Sequence, residues 1–176
     1  MTAERPEAVT FLGRPLTLVG EELAVGSTAP DFTAVTDGLE LNSYSLADGK
    51  GTVRIFNIIL SVDTPTCHAQ TVRFHDETED LPGVQVLTVS ADLPFAQARF
   101  AKQMQIGDRV KFLSDYRDLS FAEAYGVMVK ELHLTGRAIV VVDADDKVVY
   151  VEYVKELADH PDYESALAAA RTAAGL

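Results

Sequence analysis

The order of the apolar segments restricts the fold of this chain more than any other feature of its sequence. Runs of apolar residues typical of buried strands lie at 53–60, 84–89, 110–113, 138–142 and 148–153. Segments with the spacing or the end signals of helices lie at 64–81, 92–105, 119–125 and 161–174. Strands therefore alternate with helices at first, and the chain then ends in a strand pair, joined by a turn at 143–147, and a helix.

This order is typical of an α/β fold with a mixed central sheet flanked by helices. The thioredoxin-like fold has the same order of elements, and we predict it here. Its reactive cysteine sits just after a central strand, at the N-terminus of a helix.

Two hairpins are predicted before the first buried strand. Residues 10–12 and 16–18 flank Gly13, Arg14 and Pro15, and residues 32–36 and 39–41 flank an Asp-Gly pair at 37–38. The length of 176 residues predicts a single domain over residues 1–176, with residues 1–20 as an N-terminal hairpin extension.

Charge and composition argue against several classes of partner. The 27 acidic and 15 basic residues give a formal charge of −12, so nucleic acid and anionic membranes are poor partners. The purest apolar runs are about five residues, far short of the roughly 20 that span a bilayer. The first ten residues show no basic stretch followed by an apolar run, and the chain has one cysteine, Cys67. We therefore expect a cytoplasmic protein in a reducing compartment.

The residues before Cys67 predict the start of a helix. Pro65 suits the first helical position, which makes Thr64 the N-cap and Cys67 the third helical residue. Free amide hydrogens and the positive end of the helix dipole favour a thiolate there. The thiolate is the nucleophilic form of cysteine, so the position suits chemistry. A small buried residue with no reactivity is the other interpretation, and the residues alone leave both open.

Three segments resemble the peroxiredoxins, and specifically their bacterial thiol peroxidase subfamily. Residues 63–67 (DTPTC) resemble the segment that holds the peroxidatic cysteine, and residues 90–100 (SADLPFAQARF) resemble the S-x-D-L-P-F-A signature of the subfamily. Residues 136–143 (GRAIVVVD) resemble the strand that carries the active-site arginine. The similarity spans nearly the whole chain.

The chain departs from the family pattern at two positions. The family motif P-x-x-x-T-x-x-C has a proline where Leu60 stands, and an apolar leucine could fill the same space. The subfamily signature ends in a cysteine that resolves the oxidised site, and Ala101 stands there. Either the natural protein uses one cysteine, or the second has been replaced.

The resemblance implies a thiol peroxidase that reduces hydrogen peroxide and organic hydroperoxides. It assigns catalytic roles to Cys67 as the peroxidatic nucleophile, to Thr64 and to Arg137, and it requires no cofactor and no metal. It also implies thioredoxin or another external thiol as reductant, and a homodimer. Leu60 and Ala101 support a second hypothesis, a non-enzymatic redox-sensing or binding protein on the same scaffold. A third is a structural dimer with an inert cysteine.

Overall fold

A computed structural model describes residues 2–36 and 40–176 of the chain. In this part of the chain the strands are β1 (Glu4–Phe11), β2 (Arg14–Val19), β3 (Thr33–Thr36), β4 (Asn42–Ser45), β5 (Val53–Ile58), β6 (Val84–Ser90), β7 (Val110–Ser114), β8 (Met128–Val129), β9 (Leu134–Thr135), β10 (Ala138–Val142) and β11 (Val148–Tyr153). The helices are α1 (Pro65–Thr78), α2 (Pro94–Gln103), α3 (Ser120–Ala124) and α4 (Tyr163–Ala174), with a 3₁₀ turn at Leu46–Gly49.

The main sheet has seven strands in the order β11-β10-β5-β6-β7-β3-β4. Its centre is parallel, because β6 pairs in parallel with both β5 and β7. Antiparallel strands flank it, with β10 beside β5 and β3 beside β7. The predicted α/β fold with a mixed central sheet is therefore confirmed.

The two faces of the sheet are covered by different helices, because alternate residues of a strand point to opposite faces. Val53 and Ile55 of β5 pack in one apolar cluster with residues of α1 and α4, among them Phe74. Phe56 of β5 packs in the other cluster with Phe121 of α3. Sequence alternation within β5 thus determines that odd-numbered residues of this strand face α1, the helix that carries Cys67.

The N-terminal hairpin is present, with a tighter turn than predicted. Leu12 and Gly13 both have positive φ angles, 51° and 78°, as a two-residue type I′ turn requires. Arg14 and Pro15, predicted in the turn, instead begin β2. β2 also pairs with β8, and β8 with β9, which makes a four-stranded second sheet. The strands β8 and β9 were not predicted.

The second hairpin is confirmed as an antiparallel pair of β3 and β4. Its second strand lies at Asn42–Ser45 and not at residues 39–41. The predicted turn at residues 37–38 lies outside the described residues.

Several element ends differ from the sequence predictions. The last helix begins at Tyr163 and not at Pro161, because Asp162 caps it by accepting a hydrogen bond from Ser165 N at 3.1 Å. The predicted helices 64–81 and 92–105 are shortened to α1 and α2, and the predicted strand 53–60 ends at Ile58. No helix among residues 2–36 and 40–176 combines the length and apolarity needed to cross a membrane.

Candidate active site

The connection from β5 to α1 places Cys67 at a capped helix start. Thr64 has extended backbone angles, φ −94° and ψ 145°, and its hydroxyl oxygen accepts a hydrogen bond from Cys67 N at 3.3 Å. Pro65 opens α1, so Cys67 is the third helical residue. The predicted cap is confirmed, and it holds the Thr64 hydroxyl within one turn of the cysteine.

A carboxylate that the sequence interpretation missed fixes the loop before this cap. Asp92 accepts hydrogen bonds from the Ser61 hydroxyl at 2.7 Å and from Val62 N at 2.8 Å. Its second oxygen also accepts from the Ser90 hydroxyl at 2.7 Å. Asp92 follows β6 and the loop follows β5, and neighbouring parallel strands bring their carboxyl ends to one edge of a sheet. That placement is the signal that could have identified the contact.

Cys67 is completely buried, with 0% of its surface exposed. It lies in an apolar cluster with Val62, Phe100 and Leu157. Leu60, which stands where the family motif has proline, is buried in the same cluster. The leucine therefore fills space beside the cysteine, as an apolar residue at this position was expected to do.

The structure brings Arg137 to the sulfur of Cys67. Arg137 precedes β10, the antiparallel neighbour of β5, and only 3% of it is exposed. Its Nη2 donates a hydrogen bond to Cys67 Sγ at 3.3 Å. Its Nε donates to the Leu157 carbonyl oxygen at 2.9 Å, and its Nη1 donates to Gln70 Oε1 at 2.5 Å. All three predicted site residues, Cys67, Thr64 and Arg137, therefore lie together.

The charge on Arg137 has an unusual environment for a buried cation. Within the described ranges, no carboxylate forms an ion pair with it, and its oxygen acceptors, Gln70 Oε1 and the Leu157 carbonyl, are neutral. Buried charges are strongly unfavourable unless they are paired and hydrogen-bonded. A guanidinium remains protonated, so it favours a negative charge on the sulfur it contacts. The arrangement can therefore stabilise a Cys67 thiolate.

A cavity of about 550 Å³ lies beside the first turn of α1, between that turn and α2. Its lining residues are Val62, Asp63, Thr64, Pro65, His68, Arg99, Phe100, Gln103 and Met104. Arg99 forms an ion pair with Asp63 at 2.9 Å across the rim. Cys67 is not among the lining residues, so the first turn of α1 separates its sulfur from this cavity.

Ala101 lies on α2 and is not part of the apolar cluster that holds Cys67. Its neighbour Phe100 packs in the Cys67 cluster, whereas Ala101 lines a separate cavity with Pro94 and Phe112. The side chain at position 101 therefore lies on a different side of α2 from Phe100, which packs in the cluster of Cys67.

Three histidines make ring-packing or hydrogen-bond contacts with nearby residues, and His75 Nδ1 lies 3.0 Å from Asp76 Oδ1. His68 packs edge-on against Phe100 with ring centroids 5.3 Å apart, and His75 Nε2 accepts a hydrogen bond from Gly107 N at 3.1 Å. His160 Nδ1 lies 2.7 Å from the Tyr163 hydroxyl. Residues 2–36 and 40–176 hold no group of three or more His, Cys, Asp or Glu side chains suited to a metal ion.

The comparisons with known proteins agree with this geometry. The Redoxin family model matches residues 24–167. The chain is 53% identical over 163 residues to a thiol peroxidase of Bacillus subtilis, covering 93% of this chain and 96% of that one. It is 49% identical over 166 residues to a thiol peroxidase of Halalkalibacterium halodurans, covering 94% and 98%. The crystal structure of a peroxiredoxin-like protein from Aquifex aeolicus superposes with a TM-score of 0.86 at 33% identity, covering 98% of each chain.

A thioredoxin-like fold with a cysteine at the first turn of the helix after a central strand defines a class of protein, and the chain belongs to the redoxin family. Within that family, the identities over nearly the full chain place it among the bacterial thiol peroxidases.

Proposed function

We propose that this protein is a thiol-dependent peroxidase that reduces hydrogen peroxide and organic hydroperoxides through a sulfenic acid on Cys67. One observation carries the proposal: Cys67 is the third residue of a capped helix, and its Sγ lies 3.3 Å from Nη2 of a buried arginine, Arg137. A merely structural cysteine needs neither feature.

The first half of the reaction is an in-line displacement. The Cys67 thiolate attacks the terminal oxygen of the peroxide, an S–O bond forms and the O–O bond breaks. The leaving oxygen takes the electron pair and a proton from solvent, and it departs as water or an alcohol. Sulfur is oxidised to a sulfenic acid and the peroxide is reduced.

Arg137 and Thr64 are the residues we propose to assist this step. The Arg137 guanidinium stays charged and can donate to both the thiolate and a peroxide oxygen. The Thr64 hydroxyl oxygen accepts from Cys67 N, which leaves its hydrogen for the peroxide or the sulfur. Since the Cys67 amide is engaged by Thr64, we assign donation to the peroxide to the two side chains.

Because the sulfur of Cys67 is buried, we propose that the first turn of α1 moves to let the peroxide reach it. The cavity of about 550 Å³ beside this turn supports entry from that side. Val62, Phe100 and Met104 give it apolar walls, which suit the carbon chain of an organic hydroperoxide.

The reductant is proposed to be an external thiol, because Ala101 supplies no second sulfur. A thiol from thioredoxin or another donor attacks the Cys67 sulfenic acid, releasing water and forming a mixed disulfide. A second thiol of the donor then displaces Cys67 as a thiolate, so the donor leaves as a disulfide. The single cysteine also supports a cytoplasmic location, and we propose a homodimer from the family resemblance.

Rapid mixing of the reduced protein with one equivalent of hydrogen peroxide or of an organic hydroperoxide tests the proposal. We expect consumption of one peroxide per chain, gain of one oxygen atom by mass spectrometry, and turnover on addition of a thiol donor. The Cys67→Ser variant should be inert under the same conditions. Peroxide consumption that is no faster than with free cysteine, or equal in the variant, would show that the proposal is wrong.

A further inference from the structure

A group of buried polar side chains lies behind the candidate site, around Asn57 in the mostly apolar strand β5. Asn57, Gln70, Thr71 and Thr88 are all completely buried. Polar groups in such a position are costly unless they are hydrogen-bonded. In this structure they form one continuous hydrogen-bonded chain that ends on Arg137.

The contacts run from the sheet to the sulfur. Asn57 Nδ2 donates to Thr71 Oγ1 at 3.1 Å and to Thr88 Oγ1 at 3.0 Å. Gln70 Nε2 donates to Asn57 Oδ1 at 2.6 Å. Arg137 Nη1 donates to Gln70 Oε1 at 2.5 Å, and Nη2 of the same guanidinium donates to Cys67 Sγ.

The chemistry of the groups determines the direction of every bond in this chain. A guanidinium has donors only, so Arg137 requires the oxygen of the Gln70 amide. The Gln70 nitrogen must then meet the oxygen of Asn57, which turns both hydrogens of the Asn57 amide toward the threonines. A rotated Gln70 amide would place its nitrogen against the guanidinium and its oxygen against Asn57 Oδ1.

Asn57 is held between the neighbouring strand β6 and the helix α1. Asn57 and Thr88 are register partners on the parallel strands β5 and β6, so their side chains lie side by side. Thr71 and Gln70 lie on α1, one turn after Cys67. Asn57 therefore connects both central strands to the helix that carries the cysteine.

We propose that Asn57 is a positioning residue for Arg137. It orients the Gln70 amide, and Gln70 in turn holds Nη1 so that Nη2 points at Cys67 Sγ. This inference rests on the proposed function, because it matters for the reaction only if Arg137 assists the Cys67 thiolate. If Asn57 had a purely structural role, its replacement would lower the stability of the fold and leave the chemistry of the sulfur unchanged.

The test is a double-mutant cycle with Asn57→Leu and Gln70→Met, both of which keep side-chain size and remove the polar atoms. The readouts are the rate constant for hydrogen peroxide, the pH dependence of Cys67 alkylation by iodoacetamide, and the free energy of unfolding. We expect Asn57→Leu to slow the peroxide reaction about tenfold, as the loss of a supporting hydrogen-bond partner does at other sites. The alkylation profile should move to higher pH.

The combined variant distinguishes action through Gln70 from a direct effect. If Asn57 acts through Gln70, adding Asn57→Leu to Gln70→Met causes no further loss of rate, although it still lowers stability. Independent, multiplying losses of rate would overturn the proposed route.

Thr78→Val serves as the matched control. Thr78 is a fully buried threonine of α1 whose hydroxyl bonds within the helix, to the Phe74 carbonyl oxygen at 2.7 Å. We expect it to lose stability and keep the peroxide rate. If Asn57→Leu does not fold, Thr88→Val removes one of the two acceptors of Asn57 and should slow the reaction in the same direction. A peroxide rate for Thr88→Val equal to that of Thr78→Val would overturn the inference.

Failure of the inference is separable from failure of the proposed function. If the parent protein does not react with peroxide, the function is wrong. If the parent reacts and Arg137→Met slows it, but Asn57→Leu and Thr88→Val leave rate and alkylation profile unchanged, only the positioning role is wrong.

Discussion

Replacement of Arg137 by methionine is the most direct test of the electrostatic role of this site. Methionine preserves the length and apolar bulk of the side chain and removes the guanidinium. Three hydrogen bonds disappear, to Cys67 Sγ, to Gln70 Oε1 and to the Leu157 carbonyl oxygen. The change therefore removes the cation that contacts the sulfur in the described structure.

The size of the effect follows from the burial and charge of these groups. A hydrogen bond to a charged group contributes about 1.5–3 kcal/mol, and each 1.4 kcal/mol is a factor of ten. Loss of the bond from Nη2 to Cys67 Sγ should therefore lower the rate constant for attack on peroxide by roughly ten- to a hundredfold. Arg137 is also proposed to contact the peroxide, so the rate constant should fall further, on the order of 10²–10³.

The assay is rapid-mixing peroxide consumption at several pH values, with alkylation of Cys67 followed over the same range. The alkylation profile should move to higher pH in Arg137→Met. Arg54→Met is the matched control, because Arg54 is also fully buried and pairs with Asp146 at 2.8 Å near the opposite end of β5. The control should lose stability and keep the rate. A rate for Arg137→Met within a few-fold of the parent would refute the electrostatic argument.

Three further predictions concern the cap, the oxidised state and the pH dependence of stability. Thr64→Val should slow peroxide reduction and lower the free energy of unfolding by about 1 kcal/mol, whereas Thr64→Ser should preserve both; equal rates for the two variants would contradict a role for the hydroxyl. Ala101→Cys should form an internal disulfide with Cys67 after one equivalent of peroxide, seen by mass spectrometry as loss of two hydrogens. The helix α1 must rearrange first, because a disulfide needs α-carbons within about 7 Å. A sulfenic acid beside a free thiol would rule out Ala101 as the resolving position. Burial raises the pKa of Asp115 from 3.8 to about 6, so the stability linked to this group is fully present below pH 3.8 and is lost as the pH rises through about 6. Asp115→Asn should abolish this pH dependence of the free energy of unfolding, measured with denaturant. It should also lower that free energy by about 1–3 kcal/mol, because one backbone N–H, of Phe121 or Ala122, loses its acceptor. An unchanged slope of stability against pH would contradict the assignment.

The oxidised protein should behave differently from one with two cysteines. With no second sulfur in the chain, the Cys67 sulfenic acid persists until a thiol, a second chain or more peroxide reaches it. Excess peroxide should convert it to sulfinic and sulfonic acids. The burial of Cys67 supports that persistence, since solvent thiols reach the sulfur only when the first turn of α1 moves.

The sequence by itself determined the order of the main elements and the start of the catalytic helix. Apolar periodicity marks β5, β6, β10 and α1, because these elements bury one face or both and their patterns are local. The cap is equally local: Thr64, Pro65 and Cys67 are neighbours, so the bond from Cys67 N to the threonine hydroxyl could be predicted. The role of Arg137 came from resemblance, and no local pattern indicates it.

Only the tertiary structure decided what surrounds the sulfur. Cys67 and Arg137 are 70 positions apart, and their contact exists because β10 lies antiparallel beside β5. The strands β8 and β9 are two residues each, too short for any periodicity, and they form because β2 offers an edge to pair with. The burial of Asn57 and its bonds to Gln70 likewise depend on β6 and α1 packing on either side of it. Contacts between distant elements depend on register and packing, and no single segment of the sequence contains that information.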